Sequence, residues 1–265
     1  MKNRILSTVA LWAAVIIILL VLGNTGGVLL IVALSCLTQW EFYTLLERTG
    51  EKPLKIYGVI LGAALLLGSY YITAGTSHTD IFVVCVLLLS ASVLYRPNFG
   101  KVFLPTLVGI VYVPFMFQFF GFLLQLHGTL ILPIWIIAVA KFSDVGALLI
   151  GSKFGRIKLA PKISPGKTVE GAAGGILTSV LVGLLLILLF SGKYPVGFGM
   201  VKAGFVAACI GTVAIVSDLI ESTIKRQAGV KDSGNLIPGI GGAFDLTDSL
   251  ILSAPVGYLL IKYFF

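Results

Sequence analysis

Charged residues, histidine and cysteine are all scarce in this chain. Only 11% of its 265 residues are charged, and it has two histidines and three cysteines. The cysteines, Cys36, Cys85 and Cys209, lie in apolar stretches, so their spacing indicates neither a disulfide framework nor a metal site. In the topology predicted below, the histidines, His78 and His127, lie in outer loops, away from the cytoplasmic polar motifs. These absences disfavour a zinc enzyme and any catalyst that depends on a histidine base.

Long hydrophilic segments are also lacking. Apolar residues make up 58% of the chain, and the longest hydrophilic stretches are 152–170 and 225–247. Each has about twenty residues, which is too few for a separate soluble domain. We therefore expect one membrane-embedded domain over residues 1–265, in which 1–128 supplies N-terminal helices and 129–265 carries the polar motifs.

The apolar runs themselves predict an all-α, polytopic membrane protein, because many approach the roughly twenty residues that a helix needs to cross a bilayer. Hydropathy favours nine spans, near residues 5–23, 26–46, 55–74, 81–95, 102–126, 130–151, 171–191, 199–221 and 248–265. The fifth contains Pro114 and is long enough to be kinked or broken. The first has the basic start of a secretory signal but no small-x-small cleavage site, so we expect it to remain as a span.

The basic residues predict the orientation. If the N-terminus is cytoplasmic, most of the 19 Lys and Arg residues fall on the cytoplasmic side, as basic loops do. An odd number of spans then places the C-terminus outside. We expect a multi-pass protein of the inner, cytoplasmic membrane whose polar motifs face the cytoplasm. The basic cytoplasmic loops, which lie near anionic lipid head groups, also account for the net charge of +8. The charge is therefore no sign of nucleic-acid binding, and we expect no nucleic-acid partner.

The first polar motif runs from Phe142 to Gly175. Asp144 lies inside the sixth predicted span, one helical turn from Lys141, and a charge at such depth costs a few kcal/mol unless it is paired or hydrated. A self-neutralising Lys141–Asp144 pair is the alternative to a functional role. The following loop is rich in Gly and Lys, a composition that can hold an anion. Its GKT at 166–168 lacks the earlier glycine of a phosphate-binding P-loop.

The second polar motif runs from Ser217 to Ser249. Asp218, Glu221, Ser222 and Lys225 recur at i, i+3, i+4 and i+7, so they share one face of a helix that can hold a cation and a phosphate. The alternative is an exposed helix end on which Glu221 and Lys225 form an ordinary ion pair.

Asp245 and Asp248 stand at the start of the last predicted span. One interpretation makes Asp245 the N-cap of that helix and Asp248 its third residue, where both favour the helix dipole. The other makes them oxygen ligands for Mg²⁺, which prefers carboxylates completed by water and substrate phosphate. The predicted metal ligands are Asp144, Asp218, Asp245 and Asp248, and a second cation is left open.

The second motif, read as SxxKRxxxxKDxGxxxPGxGGxxDxxD, resembles the signature of the phosphatidate cytidylyltransferases, or CDP-diacylglycerol synthases. The first motif resembles that family's other stretch, through Asp144, Gly146, Ala147, Lys158, Ser164, Pro165, Lys167, Thr168, Glu170, Gly174 and Gly175. The N-terminal spans resemble the family only in hydropathy and in Trp40–Glu41–Phe42. The chain departs from the pattern at Ile240, where histidine is usual, and at Leu246, where a basic residue is usual.

The resemblance implies Mg²⁺-dependent transfer of a cytidylyl group from CTP to phosphatidic acid. It implies catalytic roles for Asp218, Lys225, Asp245 and Asp248. It implies substrate contacts from Ser164, Lys167, Thr168, Glu170, Ser222, Arg226, Lys231, Asp232, Gly239, Gly241 and Gly242. A lipid phosphate is already an anionic nucleophile, so such a reaction suits a chain without a cytoplasmic histidine. Membrane lipids are expected partners, and a homodimer is left open.

Two other functions would also place charged residues in a membrane. A transporter of an anionic or phosphorylated solute would explain intramembrane charges, but the two halves of the chain show no repeat. A CDP-alcohol phosphatidyltransferase also uses several membrane aspartates. Its longer DGxxAR…GxxxDxxxD pattern is absent, because Asp245 and Asp248 are separated by two residues rather than three.

Overall fold

Helices make up most of the protein. The computed structural model describes residues 2–72, 78–235 and 241–264. Its elements are α1 (Lys2–Arg48), α2 (Lys55–Tyr71), α3 (His78–Val93), α4 (Phe99–Tyr112), α5 (Pro114–His127), α6 (Ile131–Phe154), β1 (Lys158–Ala160), β2 (Ser164–Thr168), α7 (Val169–Leu189), α8 (Met200–Gln227) and α9 (Ala243–Phe264). Among these residues, 6 helical segments are long and apolar enough to cross a membrane, and α2 and α3 are shorter apolar helices. The prediction of a mainly helical membrane protein is confirmed.

Two predicted breaks coincide with irregular backbone. Helix α1 covers the first two predicted spans, and inside it Gly23 has φ 53° and ψ −129°, a conformation outside the helical region that glycine adopts without steric cost. The fifth predicted span divides into α4 and α5 at Val113, directly before Pro114. Proline lacks the N–H that would continue the helix and favours a first helical position, so α5 starts there.

The all-α prediction missed one element, a small hairpin. Strands β1 and β2 pair antiparallel, with Lys158 opposite Thr168 and Ala160 opposite Ser164. The short sequences KLA and SPGKT carry no alternation of polar and apolar residues, so no period-2 pattern predicts them. The Val169 N–H donates to the Ile157 carbonyl at 2.9 Å and closes the hairpin onto the start of α7.

The chain divides into two compact units. Unit 1 comprises Met1–Phe122 and Ile224–Thr247, and unit 2 comprises Leu123–Thr223 and Asp248–Phe265. Helices α8 and α9 each contribute residues to both units, so neither unit is a continuous piece of chain. The single domain expected from the sequence stays a prediction.

Unit 1 has an apolar core from α2, α3 and α4, which includes Leu65, Leu89 and Ile110. Beside it, buried Tyr43 of α1 donates a hydrogen bond to the Thr106 carbonyl at 2.8 Å. A Cβ at Gly109 would lie 2.1 Å from the Tyr43 ring. Glycine is therefore needed there for α4 to approach α1.

Unit 2 is built on close packing of α6 against α7. A Cβ at Gly146 of α6 would lie 2.1 Å from the Thr178 hydroxyl, and one at Gly175 of α7 would lie 2.8 Å from the Ser143 carbonyl. Buried Trp135 donates its indole N–H to the Gly183 carbonyl at 3.0 Å. The glycines of these two helices therefore allow α6 and α7 to pack closely.

Candidate active site

Three carboxylates converge in unit 2. Asp218 and Glu221, one turn apart on α8, and Asp248 of α9 offer oxygen atoms that all lie within 4.8 Å of one another. The Glu221 side chain is buried, with 1% of the residue exposed. Hard carboxylate oxygens at such separations suit a divalent cation such as Mg²⁺. We call these three residues the acidic triad.

Asp144 and Lys141 of α6 flank the triad. The Lys141 ammonium lies 3.0 Å from Asp248 Oδ1 and 3.5 Å from Asp144 Oδ2. The Ser249 hydroxyl donates to Asp144 Oδ2 at 3.1 Å, and the Ser217 hydroxyl donates to the Asp248 carbonyl. Lys141 thus contacts two aspartates, and the self-neutralising pair with Asp144 alone does not describe its position.

A cavity of about 320 Å³ lies between α6, α7, α8 and the hairpin of unit 2. Asp144 and Asp218 line it, together with Ser164, Lys167 and Thr168 of β2. The Lys167 ammonium is 2.6 Å from Asp218 Oδ2. The hairpin therefore places a cation and a hydroxyl beside the acidic residues, and walls such as Leu148 and Ile215 are apolar.

Two other predicted substrate ligands of this region make internal hydrogen bonds. Buried Thr168 is the N-cap of α7, where its hydroxyl accepts from the Gly171 N–H at 3.1 Å. Glu170 Oε2 accepts from the N–H groups of Arg156 and Ile157 at 3.0 and 3.2 Å. Both contacts tie the hairpin to the first turn of α7.

Asp245 belongs to a different group, in unit 1. Its Oδ1 lies 2.7 Å from the Lys225 ammonium. Its Oδ2 accepts from the N–H groups of Ser233 and Gly242 at 3.0 and 2.9 Å and lies 2.9 Å from the Ser233 hydroxyl oxygen. The structure brings Asp218 and Asp248 together with Glu221, whereas the described hydrogen bonds and ion pair of Asp245 involve Lys225, Ser233 and Gly242.

The capping interpretation needs a correction. Helix α9 begins at Ala243, so Asp245 lies in its first turn rather than at its N-cap, and Asp248 lies one turn further on. The early N–H groups of Ala243 and Phe244 donate to the Glu41 carboxylate at 3.0 and 2.9 Å. Because Glu41 satisfies these donors and Asp245 accepts from the Gly242 N–H, the helix starts three residues earlier than the aspartate spacing predicts.

The remaining predicted ligands differ in burial and in their hydrogen bonds. Ser222 is buried on α8, and exposed Arg226 donates to the Val230 carbonyl at 3.0 Å. Lys231 and Asp232 are exposed. Gly241 has φ +122°, and a Cβ there would lie 2.7 Å from Asp245 Oδ2, so a glycine is required. Gly242 donates to Asp245 as described above, and Gly239 lies outside the described residues.

Sequence reasoning missed four residues that the geometry now adds. The sequence pattern places Glu221 on a polar face but not at the metal and pairs Lys141 only with Asp144. Glu41 enters only as part of the family resemblance, and Ser233 has no predicted role. The signal for Glu221 was its spacing of three from Asp218, which puts both carboxylates on one face. The signal for Glu41 was its place as an acidic residue beside Trp40, just after a long apolar run.

Comparison with known proteins confirms the family resemblance. The chain matches the cytidylyltransferase family over residues 2–264. It is 32% identical to a phosphatidate cytidylyltransferase of Haemophilus influenzae over 291 aligned residues, which cover 100% of this chain and 99% of that protein. It is also 32% identical to one from Bacillus subtilis over 271 residues, which cover 100% and 98% of the two chains.

A further relative is matched in part. The uncharacterized protein YnbB of Escherichia coli is 37% identical over 139 residues, which cover 52% of this chain and 45% of that protein. The family match spans nearly the whole sequence, and both full-length relatives share about one residue in three with it. The chain therefore belongs to the cytidylyltransferase family.

Proposed function

We propose that this protein transfers a cytidylyl group from CTP to phosphatidic acid and releases pyrophosphate, giving CDP-diacylglycerol for phospholipid synthesis. The two full-length relatives are named for this activity. The observation that carries the proposal is the unit 2 cavity, where Lys167 of the hairpin meets Asp218 of the acidic triad. Such a cavity offers positive charge for phosphate, carboxylates for a cation, and apolar walls for a lipid.

The donor set fits Mg²⁺. Asp218, Glu221 and Asp248 would hold the ion, with Asp144 close to Asp248 through their shared contact with Lys141. The ion, when bound, would supply charge neutralisation for the phosphate groups. For Asp245 we propose a role other than metal binding, namely to hold Lys225, since its oxygens contact Lys225, Ser233 and Gly242.

In this reaction the protein mainly positions the two substrates and stabilises charge. An oxygen of the lipid phosphate forms a bond to the α-phosphorus of CTP, and the bond from that phosphorus to the β-phosphate bridging oxygen breaks. The nucleophile is already anionic, so no base is required, and catalysis consists of alignment and charge stabilisation. Lys167 and Ser164 would bind anionic oxygens in the cavity, and Lys225 and Arg226 would bind phosphate at the end of α8.

We further propose nine membrane crossings with a cytoplasmic N-terminus, a cytoplasmic active site and an inner-membrane location. In this scheme α1 crosses twice with its break at Gly23, and α4 with α5 form one crossing. The distribution of basic residues supports it. Labelling of Lys167→Cys in intact cells by an impermeant maleimide should fail until the cells are permeabilised. Labelling in intact cells would reverse the orientation.

The activity can be tested directly. Purified protein in detergent should convert radiolabelled CTP and phosphatidic acid into a lipid-soluble labelled product when Mg²⁺ is present. Omission of phosphatidic acid and chelation of Mg²⁺ are the two controls. A purified, folded protein that gives no labelled lipid, or gives it equally with diacylglycerol as the acceptor, would contradict the proposal.

A further inference from the structure

The carboxylate of Glu41, on α1, lies at the first turn of α9. Its Oε1 accepts from the Ala243 N–H at 3.0 Å, and its Oε2 accepts from the Phe244 N–H at 2.9 Å and from the Ser233 hydroxyl at 2.7 Å. Three donors thus converge on one side chain from a part of the chain 192 or more residues away.

The surrounding backbone is shaped around this carboxylate. A Cβ at Gly242 would lie 2.1 Å from Glu41 Oε2, and one at Gly234 would lie 2.5 Å from Oε1. Real Cβ atoms do not approach oxygen so closely, so both positions need glycine as long as Glu41 occupies this place. Gly234 and Gly242 therefore both lie against the Glu41 carboxylate.

Ser233 links Glu41 to the functional residues of unit 1. Its hydroxyl lies within hydrogen-bond distance of Glu41 Oε2 and of Asp245 Oδ2, and its N–H donates to Asp245 Oδ2 as well. The other oxygen of Asp245 holds the Lys225 ammonium, and both side chains are mostly buried, at 12% and 13% exposure. The contacts form one series: Glu41, Ser233, Asp245 and Lys225.

We infer that Glu41 is a positioning residue for cytidylyl transfer, which fixes the orientation of Lys225 through Ser233 and Asp245. A cap alone would explain the contacts with Ala243 and Phe244, since a carboxylate at a helix N-terminus satisfies free N–H groups. It would not explain the additional link through Ser233 to an ion pair. The inference rests on the proposed function, in which Lys225 binds phosphate.

The test compares Glu41→Gln and Ser233→Ala, each alone and combined with Lys225→Ala. Ser233→Ala removes the hydroxyl that lies between Glu41 and Asp245, and it leaves both backbone caps and the hydrogen bond from the N–H of residue 233 to Asp245, so it stays informative if Glu41→Gln does not fold. The control is Glu47→Gln, on the same helix, whose carboxylate pairs with Lys55 outside this series. Steady-state rates of labelled lipid formation are measured against CTP and phosphatidic acid. A second readout is the rate at which an amine-reactive ester labels Lys225, followed by peptide mass spectrometry.

We expect kcat/KM to fall about tenfold in Ser233→Ala and about thirtyfold in Glu41→Gln, with Glu47→Gln unchanged. In the Lys225→Ala background each change should cost less than about twofold more, because its effect passes through the missing side chain. Lys225 should also be labelled faster in Ser233→Ala, while Lys52 is labelled as before.

Wild-type rates in both variants, or losses that multiply fully with that of Lys225→Ala, would overturn the inference. So would unchanged labelling of Lys225 in Ser233→Ala. Wild-type protein that makes no labelled lipid would refute the proposed function instead. In that case the labelling rates still decide whether Ser233 holds Lys225 in place.

Discussion

The two polar groups of this protein differ in how their charges are balanced. In unit 1, Asp245 and Lys225 face each other at 2.7 Å, and Ser233 and Gly242 complete the hydrogen bonds of the aspartate. In unit 2, the acidic triad and Asp144 together comprise four carboxylates, of which Asp144 and Asp248 contact Lys141 and Asp218 contacts Lys167. Among the ion pairs of the described residues, the first group sets one aspartate against one lysine, whereas the second sets three aspartates against two lysines.

The difference separates two aspartates that the sequence presents as a pair. Asp248 lies in the group with excess negative charge, where a divalent cation would relieve repulsion between carboxylates. Asp245 lies in the group that already has its cation. We expect the two to respond to substitution in different ways, and the following predictions run from the largest expected effect to the smallest.

Removal of charge from the triad should have the largest effect. Asp248→Asn and Asp218→Asn should each lower cytidylyl transfer by about a hundredfold or more, roughly 2.7 kcal/mol of barrier, because each removes a negative ligand. The Mg²⁺ concentration that gives half-maximal rate should rise as well. Initial rates across an Mg²⁺ series measure both quantities, and thermal stability should be retained. Near wild-type turnover at saturating Mg²⁺ would remove these residues from the metal site.

Substitution of Asp245, in the unit 1 group, should lower the stability of the protein. Asp245→Asn removes the carboxylate charge 2.7 Å from the mostly buried Lys225 ammonium, and breaking such a pair typically costs about 3–5 kcal/mol. We expect a lower melting temperature and a loss of activity, with the half-saturating Mg²⁺ concentration unchanged.

The double variant Asp245→Asn with Lys225→Met sharpens this prediction. It removes the uncompensated charge, so its melting temperature should recover relative to Asp245→Asn alone, although activity should not. A large rise in the Mg²⁺ requirement of Asp245→Asn would instead make Asp245 a metal ligand, as the sequence first indicated.

The hairpin offers a matched pair of lysines. Lys167 lines the cavity beside Asp218, whereas Lys162 is exposed between the two strands. We expect Lys167→Ala to lower kcat/KM about thirtyfold by loss of a phosphate contact, and Lys162→Ala to change it less than about twofold. Equal losses would show that these lysines serve membrane topology rather than substrate binding.

The sequence predicted well what depends on neighbouring residues. Long apolar runs predicted the helices, Pro114 predicted the break between α4 and α5, and the spacing of Asp218 and Glu221 predicted one polar face. It could not assign Asp245 and Asp248 to different groups, because that assignment depends on which distant side chains reach each of them. Ser233 is held by Glu41 across 192 residues of chain, and no local pattern reports such a contact.

The smallest effect is expected at Glu170. The sequence resemblance implies that this residue binds substrate, whereas in the structure its carboxylate accepts hydrogen bonds from the backbone. Glu170 Oε2 accepts from the N–H groups of Arg156 and Ile157, and so holds the start of the hairpin against α7. An amide oxygen accepts these hydrogen bonds too, so Glu170→Gln should keep kcat/KM within about twofold of wild type. Glu170→Ala removes the acceptor, and the loosened hairpin should lower kcat/KM about fivefold through Lys167. Rates of the two variants, measured beside Lys162→Ala, separate the roles. If Glu170→Gln alone loses tenfold or more while its melting temperature is unchanged, the carboxylate charge acts on substrate or cation, and Glu170 joins Lys167 in the cavity.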